Sequence, residues 1–131
     1  MPILNETAIQ DLVSNTGSKQ FFRDTHTVWY NRNRQPHRIG GPAIEYNNGD
    51  RVWYQNGAFH RTDGPAVEYN NGDQEWWLHG IRHREDGPAI INASTKHYQW
   101  FLNGTKFWFD EWCEVLGIPA CEKTMYILQY T

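Results

Sequence analysis

The stretch that decides the fold is His60-Arg61-Thr62-Asp63-Gly64-Pro65-Ala66. It recurs as His83-Arg84-Glu85-Asp86-Gly87-Pro88-Ala89 and, with Gly40 in the Asp position, as His37-Arg38-Ile39-Gly40-Gly41-Pro42-Ala43. The spacing is 23 residues each time. Moving outward, Glu45-Tyr46-Asn47-Asn48-Gly49-Asp50 returns as Glu68-Tyr69-Asn70-Asn71-Gly72-Asp73. Trp53-Tyr54-Gln55-Asn56-Gly57 returns as Trp76-Trp77-Leu78-His79-Gly80 and, after one inserted residue, as Trp100-Phe101-Leu102-Asn103-Gly104. A degraded first copy opens at Trp29-Tyr30, with Asn33-Arg34 in place of Asn-Gly. The last copy has Phe107 in place of His, and no Asp-Gly-Pro-Ala follows. A fixed period of this kind marks a repeat architecture, in which each unit buries its apolar face against the next.

Each unit reads as β-structure. Residues 65–69 and 74–78 are short β-branched or aromatic runs bounded by turn residues. Asn-Gly and Asn-Asn-Gly-Asp supply the positive φ that hairpin turns need. Asp-Gly-Pro makes a second corner: Asp bonds its own turn, Gly is expected to take an unusual φ, and Pro limits strand pairing. Neighbouring residues of a strand point to opposite faces. Trp53, Trp76 and Trp100 therefore form one row, and Tyr54, Trp77 and Phe101 another, with one row in the core and the other partly wet. The ends read as helical. Asn5 caps a helix with Ile9, Leu12 and Val13 on one face. Asp110 caps a second, with Trp112, Val115 and Leu116 inward and Gly117 and Pro119 ending it. Residues 125–130 read equally as a strand or a short final helix. The expected fold is mainly β: an elongated antiparallel meander of β-hairpin repeats with short capping helices at both ends. The 131 residues form a single domain, with an N-terminal helical cap over 1–25, repeats over 26–109 and a C-terminal cap over 110–131.

Composition narrows the function classes. Twelve Lys and Arg against fifteen Asp and Glu give a net charge of −3, which argues against coating duplex nucleic acid. Aromatic residues make up 15% of the chain, far too many for disorder. No stretch approaches the ~20 apolar residues of a membrane span, so no membrane association is expected. The first residues carry Glu6 and Asp11 and no cationic start, unlike a secretion signal. Cys113 and Cys121 have no CxxC spacing, which excludes a zinc knuckle. A reduced, cytoplasmic protein is the expectation.

The unit Trp-aromatic-x-Asn-Gly-x-x-His-Arg-x-Asp-Gly-Pro-Ala resembles a repeat of tailed-phage and large-virus proteins. It also looks like a divergent relative of the MORN repeat, a hairpin unit of similar length. The shared element is Asn56-Gly57-Ala58-Phe59-His60. The departure is Arg61, where a typical MORN unit has Gly, followed by Asp63-Gly64-Pro65-Ala66. The resemblance spans about residues 29–109 and implies an elongated, twisted β-meander and a viral source. MORN-type units are scaffolds for protein or lipid contact, so it implies no active site.

Three His-Arg pairs, His37-Arg38, His60-Arg61 and His83-Arg84, stand at constant spacing, the last two followed by Asp63 and Asp86. A histidine row can ligate metal, but no clear carboxylate set accompanies it, and no metal or cofactor is expected. An arginine row, Arg61 and Arg84, can clamp the phosphate of a nucleotide or other phosphorylated small molecule, making the chain a binder or sponge. His60 or His83 with Asp63 or Asp86 can act as base and orienter in a hydrolase. Catalysis needs one constellation, however, and this one is spread over every unit. The reading favoured by repetition is structural: Arg and Asp pair at the corner, and His bonds the neighbouring unit's backbone. The leading functional expectation is then a non-enzymatic interaction module. Its candidate surface is Trp53, Tyr54, Trp76, Trp77, Trp100 and Phe101 with Arg61 and Arg84, residue types that anchor interfaces. The acidic Asp110, Glu111 and Glu114, with Glu122, form a second face that can dock on a basic nucleic-acid channel. By analogy with the resemblance, the partner is a host protein, with defence machinery such as CRISPR effectors the natural class. A homodimer is also plausible, because free sheet edges tend to pair.

Overall fold

The computed structural model describes residues 18–130. Its strands are β1 (Lys19–Phe22), β2 (His26–Tyr30), β3 (Ile44–Tyr46), β4 (Arg51–Val52), β5 (Tyr54–Gln55), β6 (Ala58–Phe59), β7 (Val67–Glu68), β8 (Gln74–Glu75), β9 (Trp77–Leu78), β10 (Ile81–Arg82), β11 (Ile90–Asn92), β12 (His97–Leu102) and β13 (Thr105–Phe107). Two helices follow, α1 (Phe109–Leu116) and α2 (Ala120–Tyr130). Nine strands form one antiparallel sheet in the order β1-β2-β3-β4-β7-β8-β11-β12-β13. The remaining four pair as the hairpins β5–β6 and β9–β10. The fold is mainly β, a hairpin meander with helices at its C-terminal end, as the repeat pattern predicts.

The period sets how the units stack. The chain leaves the large sheet at β4, bends at Trp53, and enters the β5–β6 hairpin; one period later it bends at Trp76 between β8 and β9. Asn56 (φ 49) and Gly57 (φ 81) turn the first hairpin, His79 (φ 49) and Gly80 (φ 76) the second, and Asn103 (φ 48) and Gly104 (φ 82) the third. Two consecutive residues at positive φ make the turn whose twist matches that of the flanking strands. Ala43, Ala66 and Ala89 are fully buried. The carbonyls of these three alanines accept the Trp29, Trp53 and Trp76 amides at 2.7–2.8 Å.

Several sequence expectations need correction. The 1–25 segment is not wholly a helical cap, because Lys19–Phe22 is a strand paired with β2. The helix expected after Asn5 lies outside the described residues. Helix α1 starts two residues earlier than expected: its N-cap is Trp108, not Asp110, and the Glu111 carboxylate accepts the Trp108 amide at 3.4 Å. Val115 points outward and is 61% exposed. At about 100° per residue, Phe109, Trp112, Cys113 and Leu116 share one stripe, and Val115 falls outside it. Gly117 (φ 66) closes the helix as expected, with the Ile118 amide reaching back to the Cys113 carbonyl at 3.0 Å. Residues 125–130 belong to α2 rather than a strand.

Together α1 and α2 cover the last unit. Trp100, Leu102, Trp112 and Cys113 form a buried cluster, with Phe107, Phe109, Leu116, Ile118, Tyr126 and Tyr130 against it. Trp100 and Trp112 rings lie 4.6 Å apart, and the Trp112 indole N–H donates to the Arg84 carbonyl at 3.2 Å. Burial pushes the Cys113 thiol pKa up, and Cys121 is exposed.

Candidate interaction surface

The recurring side chains first account for themselves as corner braces. The His37, His60 and His83 Nδ1 atoms accept the Asn56, His79 and Asn103 backbone N–H groups at 3.0, 3.0 and 2.9 Å. Each acceptor therefore reaches the next unit's hairpin turn. The following glycine amides, of Gly57, Gly80 and Gly104, donate to the Pro36, Phe59 and Arg82 carbonyls. Both amides that such a turn leaves free are thus held by the preceding unit, as buried polar groups require. An accepting Nδ1 carries no proton, so these imidazoles work in the neutral form. Burial lowers the His37 pKa, and burial together with the neighbouring His79 lowers that of His60.

The arginines form a second brace. Arg38, Arg61 and Arg84 guanidinium carbons lie 3.8, 3.9 and 3.7 Å from the ring centroids of Trp29, Trp53 and Trp76. Arg61 Nε donates to Asp63 at 2.9 Å, and its Nη1 to the Pro65 carbonyl and to Glu68, both at 3.0 Å. Arg84 repeats this with Asp86 at 2.8 Å and the Pro88 carbonyl at 3.0 Å. The Arg61 hydrogen bond holds the Asp63 carboxyl below its ordinary pKa. Gly40 offers no carboxylate in the first unit, where the Arg38 Nη1 to Pro42 contact lengthens to 3.3 Å. The glycines of this corner do not take the unusual φ expected of them; Gly41, Gly64 and Gly87 stay outside the positive-φ region. A Cβ on them would meet the guanidinium carbon at 2.9, 2.8 and 2.6 Å. They are glycines because the arginine lies flat between them and the tryptophan. In the last unit the arginine is absent and Trp100 is covered instead by Phe109, Trp112, Tyr126 and Tyr130.

These placements sort the candidate residues. Trp53, Tyr54, Trp76 and Trp77 are half-buried, while Trp100 and Phe101 are buried. Tyr54, Phe59 and Trp77 stack in series at 4.8 and 5.1 Å, and Arg82 lies 4.8 Å from Trp77 and 5.4 Å from Phe101. Arg61 and Arg84 line a cleft of about 640 Å³, but Asp63, Glu85 and Asp86 line it too and the Nε and Nη1 donors are spent. Among the described residues, no three His, Cys, Asp or Glu side chains gather as a metal site. Nor is any described helix long and apolar enough to cross a membrane.

The exposed surface lies elsewhere. Asp110, Glu111 and Glu114 are exposed on α1, and Glu122 on α2. Beside them in the chain are exposed apolar side chains that the sequence reading did not single out, Trp108 (78% exposed), Met125 (69%), Leu128 (79%) and Ile127, together with Val115, which it placed inward. The signal available was the contact stripe of α2, Lys123, Tyr126 and Tyr130, which leaves Met125 and Leu128 on the opposite side. Lys123 reaches Asp110 at 2.5 Å and ties the two helices together. No family model, no curated protein and no solved structure matches the chain.

Proposed function

We propose that the chain is a non-enzymatic repeat module whose C-terminal helices dock on a partner protein. The observation that carries this is the apolar outer side of α1 and α2. Trp108, Val115, Met125 and Leu128 are more than half exposed within one short segment, and large apolar side chains gathered in this way mark interaction sites. Asp110, Glu111, Glu114 and Glu122 are exposed on the same two helices, whose single cation is Lys123. The partner therefore presents an apolar centre with a cationic rim. A second copy of this chain fits poorly, because a two-fold contact sets carboxylate against carboxylate. A cationic rim is also the chemistry of a nucleic-acid channel, and the resemblance to viral repeat units directs the search to host defence proteins of that kind. A catalytic or phosphate-clamping role for the repeated His, Arg and Asp residues is disfavoured by their hydrogen bonds, which are spent inside the fold.

The test uses the full chain, Leu128→Glu and Met125→Glu as baits, with Arg51→Ala as a control. Support is a stoichiometric, basic host protein bound by the wild type and Arg51→Ala, lost with both helix variants, and weakened by salt. Absence of such a partner, or its retention by Leu128→Glu, overturns the proposal. A concentration-dependent dimer in sedimentation that Leu128→Glu abolishes overturns it in favour of self-association.

A further inference from the structure

We infer that the other end of the sheet carries a separate binding site, for a small phosphate ester bearing a flat ring, the chemistry of a nucleotide. Strands β1 and β2 and the loop after β2 surround a hollow of about 700 Å³. Among the described residues, Lys19, Arg23, Arg32 and Arg34 line it, and no carboxylate does. One third of the chain's twelve Lys and Arg residues thus meet in one hollow of a protein with net charge −3. Elsewhere the arginines are occupied: Arg51 on Glu68, Arg82 on Glu75, and Arg61 and Arg84 on their corner carboxylates. None of the four cations in the hollow makes an ion pair with a described carboxylate.

The walls suit a ring as well as an anion. Phe21 and Tyr30 meet edge to face at 5.5 Å, and the Arg23 guanidinium stands 5.3 Å from the Phe21 centroid. Phe21 keeps 37% of its surface exposed. Asn31, the remaining lining residue, is already used: its amide donates to Gln35 and Asn56, and its oxygen accepts the Asn33 and Gln35 amides. Asn31 shapes the loop and leaves recognition to the cations and rings. The volume lies in the range of small-molecule sites, about 300–1,000 Å³.

The decisive feature is where this hollow breaks the repeat. The later units turn on two residues, Asn-Gly or His-Gly, whereas the first unit turns on three, Arg32-Asn33-Arg34, between the paired Asn31 and Gln35. The Asn31 carbonyl accepts the Arg34 amide at 3.0 Å, and Arg34 sits at φ 59. That left-handed position favours glycine, and a long side chain there costs free energy that glycine would avoid. Side chains required by every unit are explained by the unit's fold; Arg32 and Arg34 occur in this unit alone. Asn56, His79, Lys96 and Asn103 also take a positive φ at their turns, so what sets Arg34 apart is its place beside the hollow.

The experiment titrates the full chain with ADP, inorganic phosphate and adenosine by calorimetry. ADP is expected to bind, with phosphate and adenosine each about tenfold weaker or more, since each lacks one half of the contacts. Arg34→Gly is expected to weaken ADP binding about tenfold while the melting temperature stays equal or rises. Phe21→Ala should weaken ADP more than phosphate, and Arg51→Ala, which removes a cation elsewhere, should leave both unchanged. No heat with ADP at millimolar concentration overturns the inference, as does equal weakening by Arg51→Ala and Arg34→Gly. A short single-stranded oligonucleotide that binds far tighter than ADP, with steep salt dependence, overturns the small-ligand reading in favour of a strand binder.

Discussion

Replacing Gly64 by Ala gives the sharpest test of the corner geometry. The new Cβ would lie 2.8 Å from the Arg61 guanidinium carbon and 3.1 Å from both terminal nitrogens. The guanidinium cannot retreat, because Trp53 backs it at 3.9 Å. It must leave the stack, and with it go the hydrogen bonds to the Pro65 carbonyl and Glu68. The stack contributes about 1–2 kcal/mol in a partly desolvated place. The lost hydrogen bonds add about 1 kcal/mol net. The Asp63 pair adds little, because that carboxylate is 84% exposed. The expected loss is therefore about 2–3 kcal/mol, read as a fall in urea midpoint at constant slope. For a chain of this size that is about 8–12 °C in Tm. The control is the same substitution in an Arg61→Ala background. With no guanidinium to strike, Gly64→Ala should cost nothing or stabilise by about 0.4–1 kcal/mol, since this glycine is outside the positive-φ region and alanine restricts the unfolded chain. An equal cost in both backgrounds would refute the sandwich and leave a purely backbone reason for the glycine.

Three further outcomes follow from the same geometry. Stability should fall with acid: folded-state pKa values of His37 and His60 lie below their ordinary 6.5, so the unfolded chain takes up these protons first. This contribution is complete above about pH 6.5 and lost as pH drops through the folded values, and denaturant midpoints across that window should flatten in a His37→Phe, His60→Phe double variant. His60→Phe alone strands the His79 amide and should cost about 1–3 kcal/mol at neutral pH by chemical denaturation. In the native protein an alkylating reagent should modify Cys121 rapidly and Cys113 only on unfolding, because Cys113 is buried and its thiol pKa is raised; equal rates by mass spectrometry would contradict the C-terminal packing.

Much of this protein is determined by sequence, because a repeat states each local requirement several times. The 23-residue period, the Asn-Gly turns and the flanking aromatic runs fix a hairpin meander, since positive φ and strand alternation are local properties. The role of the histidines as inter-unit acceptors was readable for the same reason. The tertiary structure alone decided contacts between residues distant in sequence or set by orientation. Gly64 reads as a turn residue until a guanidinium is seen lying over it. Val115 reads as core until the stripe of α1 is seen to run through Phe109, Trp112, Cys113 and Leu116. Trp100 lacks the arginine that covers Trp53 and Trp76, and only the folding back of α1 and α2 supplies its cover. The basic hollow needed β1 laid beside the loop after β2, bringing Lys19 and Arg23 to Arg32 and Arg34. Turn chemistry and periodicity act through neighbouring dihedral angles and are written in order along the chain; burial, stacking and charge clustering depend on which surfaces meet, and that is decided only when the units stack.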